Sequence, residues 1–165
     1  MASSVKTAQL QIRVSAAEKA AIRAAARRAG QDMSTFVLAR VLGAAGERFD
    51  AHVAACIDPQ RGGFGYAELN EHLWGLAAAE LGAAVERAPR VRLDAYAANY
   101  VAALVESACV RRNVDVPPWV GEIEPLAEPV FGSTLSSLRL HLLVNAPAAF
   151  RRRNVFVDSG IGDRV

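Results

Sequence analysis

Residues 6–43 read KTAQLQIRVSAAEKAAIRAAARRAGQDMSTFVLARVLG, and their periodicity decides the fold. From Thr7 to Val14, Gln9, Gln11 and Arg13 alternate with Leu10, Ile12 and Val14. A period of two sends successive side chains to opposite sides of an extended chain, so the segment reads as a strand with one apolar and one polar face. Ser15 and Glu18 follow at the spacing of a capping box, in which each side chain satisfies a free amide at a helix start. The run AAEKAAIRAAARRAG is built from strong helix formers. It stops at Gly30, with Arg27 and Arg28 in the last turn, where cations suit the helix dipole. Asp32 reads as the cap of a second helix, MSTFVLARVLGAAGERF, whose apolar side carries Phe36, Val37, Leu38 and Val41.

Strand, helix, helix is an incomplete unit by itself. No second alternating run lies nearby, so the edge amides and the apolar face of the strand would go unsatisfied in a monomer. Pairing with the same strand of a second chain solves both problems and predicts a homodimer. Charge points to the partner of that dimer. Lys6, Arg13, Lys19, Arg23, Arg27, Arg28, Arg40 and Arg48 stand against Glu18, Asp32 and Glu47, a local charge of about +5 in a chain whose net charge is +2. One cationic segment beside a mildly acidic remainder is the pattern of a chain that meets a polyanion with one end.

A two-stranded antiparallel ribbon fits the DNA major groove, and Gln9, Gln11 and Arg13 are of the types that read adenine and guanine bidentately. The other reading of those three residues is an ordinary solvated strand face. Residues 6–43 as a whole resemble the ribbon-helix-helix module of antitoxins paired with acetyltransferase toxins. The alternating strand, the S-x-x-E-K helix start, the turn ending in A-G-Q and the following S-x-F-V-L carry that resemblance. It implies that Gln9, Gln11 and Arg13 enter the groove and that the amides near Met33, Ser34 and Thr35 face a backbone phosphate, as a helix N-terminus allows. Lys6 and Arg28 are left as phosphate or solvent contacts.

Downstream, IDPQRGGFG at residues 57–65 reads as a linker or turn. Helical spacing then runs from Tyr66 to Ala88, stopped by Pro89, and again from Arg92 to Val114, which predicts an antiparallel helical hairpin. Pro117, Pro118, Pro125 and Pro129 exclude a long helix there, with Trp119 and Phe131 as anchors into the core. Ser133 is expected to cap a helix through TLSSLRLHLLV, Pro147 to open a shorter one, and NVFV at 154–157 to be extended. The fold class expected is mainly α: a ribbon-helix-helix module over residues 1–50, a linker or helix extension over 51–65, and a small helical domain over 66–165.

Residues 117–157 resemble a C-terminal segment of antitoxin-like regulators encoded beside nucleotidyltransferase-type toxins. PPW, L-R-x-x-L-L and A-P-x-x-F-R-R-R-N-x-F carry this second resemblance. It implies a toxin-binding domain, with Trp119, Arg151, Arg152, Arg153, Asn154 and Phe156 as the contacting residues. The arginine run reads equally as cations at a helix C-terminus. The partners expected are operator DNA, a cognate protein toxin of nucleotidyltransferase or acetyltransferase type, and a second copy of the chain. A scaffold or regulator without a toxin partner is the alternative.

Catalysis is not expected, and neither is a cofactor. His52, Cys56 and Asp58 lie close together, as do Glu68, Glu71 and His72, but neither group reaches the ligand count that zinc requires, and His141 is remote in sequence. Cys56 and Cys109 lack motif spacing and read as buried thiols of a reducing compartment, the cytoplasm. No apolar run is long enough to span a membrane, and MASSVKTAQLQIRV lacks the apolar core of a secretory signal.

Overall fold

The computed structural model describes residues 11–30, 32–61 and 63–158, and of residues 35, 39 and 41–44 the backbone alone. The chain is mainly helical, with one two-stranded sheet among the described residues. It divides into two compact units, Met1–Val41 and Leu42–Val165.

In the first unit, the described part of the expected strand, residues 11–14, is irregular instead of extended in a ladder, as suits a lone strand with no partner to pair with among the described residues, and leads through Ser15 into α1, Ala16–Arg28. The expected capping box forms: Ser15 Oγ accepts the Glu18 N–H at 3.3 Å, and Glu18 Oε2 accepts the Ser15 N–H at 2.8 Å. Two hydrogen bonds to one carboxylate hold the Glu18 pKa below its ordinary value, the Ser15 amide contributing most. Gly30 follows the helix at φ 67°, the left-handed conformation that a helix C-terminus requires and glycine adopts without strain. Asp32 caps α2, Met33–Cys56, through a 3.0 Å bond from the Ser34 N–H to its Oδ1.

The helix α2 continues beyond the expected end near Phe49, and its later residues Ala45, Phe49, Val53 and Cys56 are buried in the core of the second unit. Residues 57–61 therefore belong to a turn between two helices of one unit, Asp58 anchoring it by accepting the Gln60 N–H. The next helix, α3, spans Phe64–Gly75. It crosses α2 so closely that a Cβ on Gly65 would lie 2.3 Å from the Ala55 carbonyl oxygen, a contact that only glycine permits.

The single helix expected over 66–88 is two helices. Gly75, a poor helix former, ends α3, and Leu76 is extended at ψ 141°. Glu80 accepts the Ala77 N–H at 3.1 Å and starts α4, Ala78–Val85. The bend lets Leu69 and Leu73 on one side and Leu81, Ala84 and Val85 on the other reach the same core.

That core surrounds α5, Ala95–Arg112, which starts at Asp94 and ends at Asn113 in the left-handed conformation. Tyr100, Val101, Ala102, Ala103, Leu104 and Val105 are all buried, so the middle of α5 is enclosed on every side rather than amphipathic. It packs against α3, α4, α6 (Pro118–Gly121) and α8 (Ala148–Arg151). Pro118 supplies the preset φ of a first helical residue, and Pro147 stands just before α8.

Between these lie β1, Val130–Phe131, a turn of 3-10 helix at Ser136–Leu138, α7 at Arg139–Asn145, and finally β2, Val155–Phe156. Strand β1 pairs parallel with β2, Val130 opposite Val155 and Phe131 opposite Phe156. The expected helix of residues 134–144 forms only in its second half. Ser133 Oγ accepts the Leu135 N–H in a local turn instead of capping it. No helix among the described residues is long and apolar enough to cross a membrane.

Candidate nucleic-acid interface and the second unit

Gln11, Ile12, Arg13 and Val14 are all exposed, with Ile12 at 60% and Val14 at 42%. Two β-branched apolar side chains facing water at alternate positions are a face that a single copy of the chain leaves uncovered. Lys6 and Gln9 lie outside the described residues. Immediately after this segment, the capping box fixes the direction in which α1 leaves. Arg28 is exposed in the last turn of that helix. At the start of α2, Met33 is half-buried and Ser34 exposed. The Ser34 amide already donates to Asp32, so a phosphate at this helix start would compete with that carboxylate. A cation-π contact of 5.4 Å sets Arg40 over Phe36 on the same helix.

Residues 4–54 match a family model, NikA-like, described as mobilization protein NikA. The match supports a ribbon-helix-helix-like module at the N-terminus. No curated protein and no solved structure matches the chain.

In the second unit, the residues expected to touch a partner separate into two groups. Trp119 is buried, and its indole N–H donates to the Val85 carbonyl at 2.9 Å, tying α6 to the end of α4. Phe156 is buried and stacks on Phe131 with ring centres 5.1 Å apart. Asn154 adopts φ 56° and donates to the Leu126 carbonyl at 2.6 Å. Arg153 is only 6% exposed. Its guanidinium donates to the carbonyls of Val120 at 2.8 Å and Ile123 at 3.4 Å and lies 3.7 Å from Glu106 Oε2. These four side chains build the fold instead of lining a surface. Arg151 and Arg152 point outward, and Arg152 pairs with Glu106.

What sequence reasoning missed is the exposed face around α7. Leu140 and Val144 are 73% and 65% exposed, and Leu135 beside them 60%. Leu142 alone of the helix turns inward, onto Ala146, Phe131 and Phe156. The signal was the run LRLHLLV, which has too many apolar positions for one buried stripe.

The fold brings members of the two histidine-containing groups together. The His52 and His72 rings stack 4.4 Å apart, and the Cys56 thiol donates to the His52 carbonyl at 3.3 Å. Burial, with Glu68 adding to it, pushes the Cys56 thiol up to about 11, and burial with Glu106 does the same for Cys109. Both are therefore protonated at neutral pH and poor nucleophiles. The His72 pKa is lowered, first by burial and then by the charges of His52 and Arg48.

A histidine whose folded pKa lies below its unfolded value binds fewer protons folded than unfolded between those two values. Stability is accordingly expected to fall as pH drops below about 6.5, the ordinary histidine value. Denaturant unfolding of the wild type and of His72→Gln at pH 5.5 and 7.5 checks this. The variant should lose part of the acid sensitivity.

Proposed function

We propose that the chain is a homodimeric DNA-binding regulator whose N-terminal segments pair as a ribbon in the major groove and whose second unit binds a protein partner. The observation that carries this reading is the exposed alternation Gln11-Ile12-Arg13-Val14 directly before a capped, cationic helix. The match of residues 4–54 supports it. In the finer form of the proposal the partner is a toxin of nucleotidyltransferase or acetyltransferase type, which the chain neutralises as an antitoxin while repressing its own operon in the cytoplasm. The exposed apolar side of α7 supports a protein partner, because monomeric surfaces seldom leave such side chains clustered in water.

Replacing Arg13 with alanine tests the groove. One lost bidentate contact is worth about 1–3 kcal/mol, so affinity for the duplex upstream of the gene should fall roughly 5- to 150-fold. Binding to unrelated duplex should change little, and fluorescence anisotropy on both duplexes measures it. Unchanged affinity for the specific duplex removes Arg13 from the groove. The description of the matching family favours a second reading, in which the DNA bound serves mobilization. Selection from genomic fragments separates the two, since a repressor retains its own promoter and a mobilization protein retains another site.

A further inference from the structure

Lys19, Arg23 and Arg27 stand at successive intervals of four on α1 and are all exposed. At 3.6 residues per turn they share an arc of about 80°, and at 1.5 Å per residue they span about 12 Å along the axis. Like charges four residues apart repel and weaken the helix that carries them. A helix normally relieves such repulsion with carboxylates at the same spacing, but the residues of α1 between these three cations are alanines and one isoleucine, and its one carboxylate, Glu18, precedes Lys19. Glu18 is held by Ser15 in the capping box. No ion pair to Lys19, Arg23 or Arg27 forms among the described residues. The stripe thus carries mutual repulsion and has no ion-pair partner among the described residues.

From this arrangement we infer that the Lys19-Arg23-Arg27 face of α1 is a binding surface for the sugar-phosphate backbone of duplex DNA, distinct from the base-reading strand. The inference rests on the DNA-binding reading above and adds to it a second contact surface. Each DNA strand carries one phosphate per 3.4 Å of duplex axis, so about 12 Å of α1 laid parallel to that axis is matched by roughly three of them. Three side chains on long flexible stems reach such a row without reading sequence. Their contribution is affinity and salt dependence, whereas specificity stays with Arg13 and its neighbours.

The test uses the full chain and compares the wild type with the combined variant Lys19→Gln, Arg23→Gln, Arg27→Gln. A second variant, Arg23→Lys with Arg27→Lys, keeps the charge. Each phosphate contact contributes about 0.9 to the slope of log affinity against log salt concentration. The glutamine variant should therefore reduce that slope by roughly 2–3 for each bound protomer. Its ratio of specific to non-specific affinity should stay near that of the wild type, and the lysine variant should keep the wild-type slope. Circular dichroism confirms that α1 survives, as it should with glutamine, a good helix former. If the wild type binds DNA and the glutamine variant keeps its slope, the stripe is not a phosphate surface and the DNA reading stands. A wild type that binds no duplex at any salt concentration overturns both. Stripe-dependent binding to phosphatidylserine vesicles without duplex binding overturns the inference in favour of an anionic membrane surface.

Discussion

Changing Ile12 to aspartate should weaken self-association by a hundredfold or more and abolish specific DNA binding with it. Ile12 is 60% exposed in the single chain, and Val14 two residues on is 42% exposed, so both are available to a partner strand. In a symmetric ribbon each substitution acts twice. Burying one isoleucine side chain is worth about 1.5–3 kcal/mol, so losing two costs about 3–6 kcal/mol before the buried carboxylates add their own desolvation. That loss corresponds to a rise in the dimer Kd of roughly 10²- to 10⁴-fold. Sedimentation equilibrium over a concentration series measures it. Gln11→Asp is the control, because its side chain belongs to the opposite face: the dimer should persist while DNA binding falls. An Ile12→Asp chain that dimerises like the wild type would show that this face is not the seam.

Replacing Arg153 with methionine should destabilise the second unit by about 3 kcal/mol, near the lower end for removing one member of a buried ion pair. The substitution keeps much of the side-chain volume and removes the donors that hold the Val120 and Ile123 carbonyls. It also removes a contact to Asn99, whose amide group, buried in α5, donates in turn to the Glu124 carbonyl at 3.0 Å. Residues 120–124 are fastened to α5 and α8 largely through these bonds. Glu106 keeps Arg152 as a partner, which limits the loss. A lysine at 153 retains the charge but not the planar fork, and should recover only part of the stability. The midpoint of thermal unfolding should drop by roughly 10 °C in the methionine variant. Arg151→Met, at an exposed position, should change it little. A methionine variant within 1 kcal/mol of the wild type would mean that the carbonyl bonds of Arg153 contribute little net stability.

The two substitutions probe features of different legibility. Ile12 could be named from the alternation alone. The role of Arg153 could not, because RRRN is the same string of letters whether it faces water or the core. The consequence for the partner-binding reading is specific. Trp119, Arg153, Asn154 and Phe156 are engaged inside the fold, which leaves Arg151, Arg152 and the apolar side of α7 as the exposed features of that region.

By itself the sequence determined several features that depend on neighbours four residues apart or fewer. The Ser15–Glu18 box, the glycine at Gly30, the Asp32 cap and the turn at 57–61 are hydrogen-bonding and steric events within one helical turn, and their partners are adjacent in the chain. The tertiary structure alone decided which apolar helix lies at the centre, where the helix over 66–88 bends, and that β1 pairs parallel with β2. It also decided that His52 stacks on His72 and that Arg153 turns inward. Each of these outcomes balances the burial of a side chain against groups tens of residues away. Local periodicity carries no information about that balance, since an arginine is buried only where distant carbonyls and a carboxylate have already been brought to meet it.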